Sequence, residues 1–255
     1  MVRTVLAIAA CAAVAFASWA LTPAHAQDTI GQRLSLDRLA AIQPGTYLAG
    51  DEVKFTLVPF QGDFVMRLAD GPEIYVLYAD NASLGGRILK YDTGETAMGV
   101  AVWGGMTLYT DAHPNGLPVE RVGDAFPPSP PTIGPGEMQN QMTLASQHIF
   151  AARRLQIAFN VDWNRFGSPL ARAYAFNALQ NAARGIERFA TTPFGHDQLA
   201  RRIDSVTVAP TGGRPDFSFN GRTLVVMFSS GRGFAGCASS REMAMWLAEA
   251  FGQKK

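Results

Sequence analysis

A proline-rich segment divides the chain into two parts with different hydrophobic periods. Residues 126–136 read Phe-Pro-Pro-Ser-Pro-Pro-Thr-Ile-Gly-Pro-Gly. Because proline fixes φ and lacks an amide donor, this composition predicts an extended linker, or else a loop that lies on the protein surface. Apolar residues recur at every second position before the segment and with a helical period after it. We therefore expect an α+β chain in which a β-rich part precedes the helices.

The β-rich part is expected to span residues 27–125. Val53, Phe55 and Leu57 alternate with the residues between them, a further run follows at residues 64–68, and turn formers such as Gln61-Gly62-Asp63 separate these runs. Short strands at nearly regular spacing predict an antiparallel sheet that closes or stacks as a small barrel or sandwich. One short helix is expected in residues 27–42, ahead of the first strand.

The α+β part is expected to span residues 137–255. Two helical patterns, one from residue 137 and one from Ser168-Pro169 to about Ala190, predict a helical hairpin. Farther on, Asn220-Gly221 predicts a tight turn between two strands, because both residues tolerate positive φ. The sequence leaves open whether this part forms one domain with the β-rich part.

A strand-to-helix loop and a C-terminal helix are expected to follow this β-hairpin. Residues 231–236 read Gly-Arg-Gly-Phe-Ala-Gly and match the G-x-G-x-x-G pattern of dinucleotide-binding sites. Such a site needs a further strand that carries an acidic residue about 20 positions on. No strand is predicted there, so we expect a mobile loop and no cofactor. Ser239-Ser240-Arg241-Glu242 then predicts a helix that begins with a capping box.

Residues 1–26 have the pattern of an export signal. Arg3 supplies the positive start, residues 5–21 are uncharged and mostly apolar, and Ala24-His25-Ala26 is a small-residue cleavage site. We predict cleavage after Ala26 and a periplasmic or secreted protein. The alternatives are a membrane anchor, for which the apolar run is short, and a lipoprotein signal that ends at Cys11.

The charge balance limits the partners that we expect. The chain contains 22 Lys and Arg and 21 Asp and Glu, and removal of Arg3 with the signal makes the two numbers equal. Nucleic acids and anionic membranes select clustered positive charge, so we expect neither as a partner. We also predict no membrane span after cleavage. The expected partner is an envelope protein or a small ligand.

Cys237 is the one cysteine that remains after removal of Cys11 with the signal. It precedes the predicted C-terminal helix, and a helix N-terminus lowers the pKa of a nearby thiol. A catalytic thiol also needs a histidine base, and His196 is the candidate for that role. A buried or unreactive cysteine is the simpler interpretation. The histidines and the cysteine lack the spacing of metal ligands, so we predict no metal site.

Aromatic residues of the predicted sheet are the candidate ligand-binding residues. In the functional interpretation, they line a barrel mouth or a cleft for a sugar or lipid. In the alternative interpretation, they pack across strands or in the core. The candidates are Tyr75, Tyr78, Trp103 and Tyr109.

Acidic residues lie in the turns of the same sheet. Asp92, Glu95 and Asp111 all occupy predicted turns, where acidic residues are common for conformational reasons. A pair of carboxylates is also the machinery of glycoside hydrolysis, and its two members are brought together by the fold rather than by spacing. A carboxylate pair is therefore an open alternative.

Residues 73–118 carry a resemblance to a known family. Their pattern consists of Glu73-Ile-Tyr-Val-Leu77, Gly85-Gly86, Lys90-Tyr-Asp92-Thr-Gly94-Glu95, Gly104-Gly105-Met-Thr-Leu-Tyr109 and Pro114-Asn-Gly116. With the signal in front and a later stretch at residues 231–240, this pattern is similar to a family of exported proteobacterial proteins of unknown function. The resemblance implies export and a fold type, but no activity or ligand. Gly236-Cys237-Ala238 stands where a more basic stretch is expected, which puts any role of that site in doubt.

Two hypotheses for the function follow from these patterns. The favoured one is a non-enzymatic envelope protein that binds a partner or a small ligand through the sheet. It rests on the export signal, the neutral charge and the lack of a catalytic signature. The alternative is an exported hydrolase that uses Cys237 or a carboxylate pair.

Overall fold

The computed structural model describes residues 42–252, which begin with a closed β-barrel. The predicted export signal, the short helix predicted before residue 42 and the last three residues lie outside the described residues. Each strand of the barrel pairs antiparallel with the next, and the first pairs with the last. The barrel form of the predicted antiparallel sheet is thus confirmed. Its strands are β1 (Gly45–Ala49), β2 (Val53–Phe60), β3 (Asp63–Leu68), β4 (Ile74–Asn81), β5 (Arg87–Lys90), β6 (Thr96–Val100), β7 (Met106–Leu108) and β8 (Leu117–Gly123).

The barrel wall is buried on both faces along part of its circumference. Phe55 and Leu57 belong to the core inside the barrel and are fully buried. Val58, Val65 and Val76 belong instead to the core that the helices form outside the barrel. Because successive strand residues point to opposite faces, this double burial explains the apolar runs that break the alternation in β2, β3 and β4. Each fully buried valine contributes about 1.5–3 kcal/mol relative to an exposed one.

Helices and a four-stranded sheet form the rest of the described chain. In the sheet, β10 pairs parallel with both β9 and β12, and β11 pairs antiparallel with β12, which gives the order β11-β12-β10-β9. The hairpin at Asn220-Gly221 is confirmed, whereas sequence gave no sign of the parallel pairs. The elements are α1 (Pro135–Arg153), β9 (Ala158–Phe159), α2 (Pro169–Phe189), α3 (Pro193–Arg202), β10 (Ser205–Pro210), β11 (Asp216–Asn220), β12 (Thr223–Phe228) and α4 (Ser240–Ala250).

Helix α2 lies at the centre of this second part. A glycine on its surface, Gly185, allows α4 to pack closely against it. The start of α2 agrees with the prediction, because the Ser168 hydroxyl accepts a hydrogen bond of 3.1 Å from the Ala171 amide and Pro169 fills the first helical position. Gly185 faces α4 directly. A Cβ at Gly185 would overlap the Met243 side chain and lie 2.9 Å from the Ser240 carbonyl oxygen.

His196 and the G-x-G-x-x-G segment, for which a mobile loop was expected, both lie in regular elements. His196 lies within α3, which begins because the Thr192 hydroxyl accepts a hydrogen bond of 3.0 Å from the Gly195 amide. The G-x-G-x-x-G segment is not an open loop but a buried 3₁₀ turn at Ser230–Gly236. Gly233 has a φ of 57° there, and a Cβ on it would meet the ring of Phe60 at 2.7 Å.

Between residues 42 and 252, no helix combines the length and the apolar character that a bilayer crossing requires.

Candidate functional site

The N-terminus of α4 is capped by Ser239, as the capping box predicts. The Ser239 hydroxyl accepts hydrogen bonds of 3.2 Å from the amides of Arg241 and Glu242. The second hydrogen bond of the predicted capping box, from the Ser239 amide to the Glu242 side chain, is wrong, because that amide has a different acceptor. The acceptor is a carboxylate from the barrel, which joins α4 to the turn between β5 and β6.

That carboxylate is Asp92. Its two oxygens accept hydrogen bonds of 2.7 Å from the amide and from the hydroxyl of Ser239. Burial raises the pKa of Asp92 above its ordinary value, and the two bonds from Ser239 oppose that rise. The positive end of the helix dipole also favours a carboxylate at this position.

Glu73 makes a parallel contact one residue farther along α4. This buried residue accepts hydrogen bonds of 2.7 Å from the amide and from the hydroxyl of Ser240. The Tyr75 hydroxyl donates a third bond, of 2.9 Å, to the same carboxylate. Burial and the adjacent Glu73 raise the pKa of Tyr75, so this phenol stays protonated. The first four amides of a helix lack acceptors within the helix. At α4, Asp92 and Glu73 accept hydrogen bonds from two such amides, those of Ser239 and Ser240.

Arg241 completes the contact between barrel and helix. Its guanidinium lies 4.3 Å from the centre of the Tyr91 ring and 2.9 Å from a Glu95 oxygen. It also pairs with Asp111, which is shared with Arg188 of α2. We call the whole set the docking cluster, and it consists of Glu73, Asp92, Glu95, Asp111, Ser239, Ser240 and Arg241.

A cavity of about 320 Å³ opens beside this cluster, between strand β4 and the start of α4. We call it the barrel–sheet cleft. Apolar residues of β4 form one wall, and polar groups from four different segments form the others. The polar side chains that line it are Tyr78, Asp92, Arg214, Arg232, Ser239 and Glu242.

Glu242 is one of the two carboxyl groups that line the cleft. Burial, followed by the charges of Asp92 and Glu249, raises its pKa to about 7. Its Oε2 atom is buried and has no hydrogen-bond partner in the described part of the chain. A buried acceptor without a partner is costly, so this carboxyl group is arranged to receive a donor.

Two arginines line the same cleft. Arg214 lies in the loop between β10 and β11, and Arg232 lies in the 3₁₀ turn. Within residues 42–252 neither guanidinium is within 4.0 Å of a carboxylate. Their charges lower the pKa of Tyr78, although burial and nearby acids raise it further than the arginines lower it. The cleft therefore holds cationic groups and carboxyl groups in one cavity.

The two candidate catalytic residues have different hydrogen-bond partners. Cys237 is among the residues that line the barrel–sheet cleft, but it is buried, and its thiol donates to the Tyr174 carbonyl oxygen at 3.4 Å. Burial raises the pKa of Cys237 to about 12, which outweighs the lowering by hydrogen bonds from Asn177 and Ala178. His196 Nε2 lies 2.9 Å from the Arg153 carbonyl oxygen. No hydrogen bond joins the two side chains in the described structure, and their catalytic role stays a prediction.

The four aromatic candidates lie in different places. Tyr75 belongs beside the docking cluster, and Tyr78 lines the barrel–sheet cleft. Trp103 is 80% exposed in the turn between β6 and β7. The ring of Tyr109 lies next to Gly116 and Gly99. The structure therefore places one of the four, Tyr78, together with the charged groups of the cleft.

Sequence reasoning missed the residues that make the cleft polar. Arg232 was treated as part of a loop motif, Glu242 as a capping residue, and Arg214 was not singled out. No spacing connects them, because Arg214 and Arg232 reach the cleft from different segments. The described residues contain no group of three or more histidine, cysteine or acidic side chains that is placed to hold a metal ion.

The whole chain was compared with family models, curated proteins and solved structures. No curated protein matches it, and no solved structure matches it. The model of a family described as Domain of unknown function (DUF4908) matches residues 29–247, which is well over half of the chain. The predicted resemblance to a family of unknown function is confirmed at this level. The chain therefore belongs to the DUF4908 family of domains of unknown function.

Proposed function

We propose that this is an exported protein of the cell envelope that binds a small ligand in the barrel–sheet cleft without transforming it. One observation carries the proposal. Arg214 and Arg232, which have no ion-pair partner among the described residues, line the same cavity as the carboxyl group of Glu242. Ligand sites are concave and combine apolar walls with a few convergent polar groups.

The charges define the class of ligand. The two guanidinium groups favour a carboxylate or another anionic group. The Oε2 atom of Glu242 favours a hydrogen-bond donor, such as a hydroxyl or an ammonium group. The ligand therefore carries an anion at one end and a donor at the other, as amino acids, dipeptides and uronic acids do.

A binding role is supported by the structural hydrogen bonds that two of the carboxylates accept. Asp92 accepts two hydrogen bonds from Ser239, and Glu73 accepts three. A carboxylate with these bonds is held in a structural contact and is poorly placed to attack a substrate or transfer a proton. Cys237 is buried with a raised pKa, which opposes nucleophilic attack.

A second candidate function is hydrolysis by the pair Asp92 and Glu242. One observation favours it, since both carboxyl groups line the cleft and the pKa of each is raised. A protonated acid beside an ionised one is the arrangement of many hydrolases. In that case Glu242→Gln abolishes turnover of a cleft ligand, whereas a binding protein leaves the ligand chemically unchanged in mass spectrometry.

Thermal melting tests the binding proposal. The purified exported protein is melted at pH 7 with amino acids, dipeptides and uronic acids, each at millimolar concentration. We expect members of one class to raise the melting temperature, because a ligand that binds the folded state stabilises it. Arg232→Ala is expected to remove this increase. Arg165→Ala is the matched control, since Arg165 is exposed and lies outside the cleft. If no class raises the melting temperature, the cleft proposal is wrong.

Export has its own test. The full chain is produced with a C-terminal tag in a bacterial host, and the cell fractions are analysed by N-terminal sequencing. We expect the protein in the periplasm or the medium, with Gln27 as its first residue. Ala26→Asp is expected to block cleavage, because the signal peptidase needs a small residue there. Uncleaved protein in the cytosol would contradict export.

A further inference from the structure

A second cavity, of about 440 Å³, lies next to the contact between Glu73 and Ser240. Three arginines of two helices line it. Arg153 comes from the last turn of α1, and Arg184 and Arg188 come from successive turns of α2. We call this space the arginine cavity. It shares no lining residue with the barrel–sheet cleft.

Two of these arginines form no ion pair within the described residues. Arg188 pairs with Asp111. Arg153 and Arg184, by contrast, have no carboxylate within 4.0 Å among residues 42–252. The Nε atom of Arg153 is buried there without a hydrogen-bond partner, and Arg184 donates only to the Asn181 side chain, at 3.1 Å. Both arginines are partly buried, and polar groups removed from water ordinarily have hydrogen-bond partners, because an unpaired one is costly.

The carboxylates at this cavity already have other partners. Glu73 accepts its three bonds from Ser240 and Tyr75, and Glu187 lies 3.1 Å from the His148 ring. Burial lowers the pKa of Arg184 more than the nearby Glu73 raises it. The cavity lining thus combines three arginines with two glutamates, and the hydrogen bonds of both glutamates go to groups other than Arg153 and Arg184.

We propose that the arginine cavity binds the phosphate group of a small molecule. The planar guanidinium group presents parallel donors that match phosphate oxygens, and a phosphate group supplies acceptors to the guanidinium donors of Arg153 and Arg184. The cavity is larger than a phosphate group, and Leu68 and Pro72 line the remaining space. An organic part of the ligand packs against these two residues. The inference does not depend on the function of the barrel–sheet cleft.

Melting of the full exported protein tests the proposal with three probes, which are inorganic phosphate, glycerol phosphate and sodium chloride at matched ionic strength. We expect both phosphates to raise the melting temperature more than chloride does, and glycerol phosphate to bind at least as tightly as inorganic phosphate. Arg153→Gln and Arg184→Gln are each expected to weaken phosphate binding about tenfold. Arg153→Lys is expected to retain part of the binding, because it keeps the charge but loses the planar pair of donors.

Matched variants separate this site from the cleft. Arg165→Gln and Arg232→Ala are expected to leave phosphate binding unchanged, whatever they do to a cleft ligand. If Arg184→Gln does not fold, as judged by circular dichroism, the comparison of Arg153→Gln with Arg153→Lys decides the question. A phosphate effect equal to that of chloride would overturn the proposal. So would equal phosphate affinity in the wild type and Arg153→Gln, or failure of glycerol phosphate to bind.

Discussion

Asp92 of the barrel holds the amide and the hydroxyl of Ser239 at 2.7 Å each, across a separation of 147 residues in the chain. The contact joins the turn after β5 to the first turn of α4. It replaces the bond that Glu242 would make in a capping box. Glu242 is thereby left facing the barrel–sheet cleft, so a contact that stabilises the fold also shapes the candidate binding site.

Removal of Asp92 should weaken the attachment of α4 to the barrel. Asp92→Ala deletes two charge-assisted hydrogen bonds and leaves the Ser239 amide without its acceptor. We expect the free energy of unfolding to fall by about 2–4 kcal/mol, measured by urea denaturation. The control is Asp70→Ala, because Asp70 is an exposed turn residue, and it should change stability by less than about 0.5 kcal/mol. Equal stability of the two variants would show that the contact contributes little.

Close approach of α2 and α4 depends on Gly185. A Cβ at this position would overlap Met243 and crowd the Ser240 carbonyl, so α4 would have to shift away from Glu73. We expect Gly185→Ala to lower the free energy of unfolding by about 1–3 kcal/mol. Gly136→Ala in α1 is the matched change, since open space surrounds that residue, and it should be neutral or slightly stabilising. A stable Gly185→Ala protein would argue against tight packing here.

Glu242 should make stability depend on pH. Its pKa of about 7 in the folded protein lies above the ordinary value of 4.5, so the folded state holds the proton more tightly. Its contribution to stability is fully present below pH 4.5 and is lost as the pH rises through 7. The free energy of unfolding should be measured for both proteins at pH 5 and pH 8. Relative to the wild type, Glu242→Gln should be more stable at pH 8 than at pH 5 by about 1–2 kcal/mol, a value reduced to allow for the partial exposure of Glu242.

The control for this pH effect is Glu120→Gln, because Glu120 is exposed on β8. It should follow the wild-type stability at both pH values. A Glu242→Gln protein that also follows the wild type would mean that Glu242 titrates normally.

Cys237 should be unreactive in the folded protein. The thiol is buried, and its pKa of about 12 leaves almost no thiolate at neutral pH. We expect a mild thiol reagent at pH 6 to label the native protein far more slowly than the same protein in urea. The comparison in urea is the internal control. Rapid labelling of the native protein would restore the catalytic-thiol hypothesis.

Short-range patterns were sufficient to predict most of the individual elements. Short runs separated by turn formers predicted a sheet, Ser168-Pro169 predicted the start of α2, and Asn220-Gly221 predicted a hairpin. Each of these signals is local, because it depends on backbone preferences within a few residues. The buried 3₁₀ turn was missed since its order comes from packing against Phe60 and Tyr174.

Such local patterns did not predict the candidate site. Asp92, Glu95 and Asp111 were visible as acidic turn residues, but acids in turns are common. Their role appears only when α4 is placed against the barrel, and then Arg241 contacts two of them. Arg214 and Arg232 reach the cleft in the same way, through the arrangement of β10, β11 and β12.

Calorimetric titration of a cleft ligand tests the central claim most directly. The strongest ligand from the melting screen is titrated at pH 6 in two buffers with different ionisation enthalpies. A donor that binds Glu242 favours the ionised carboxylate, so we predict proton release and a heat that depends on the buffer. Arg232→Ala should weaken binding about tenfold, and Glu242→Gln should remove the buffer dependence. A buffer-independent heat, with equal affinity in wild type and Arg232→Ala, would contradict the account.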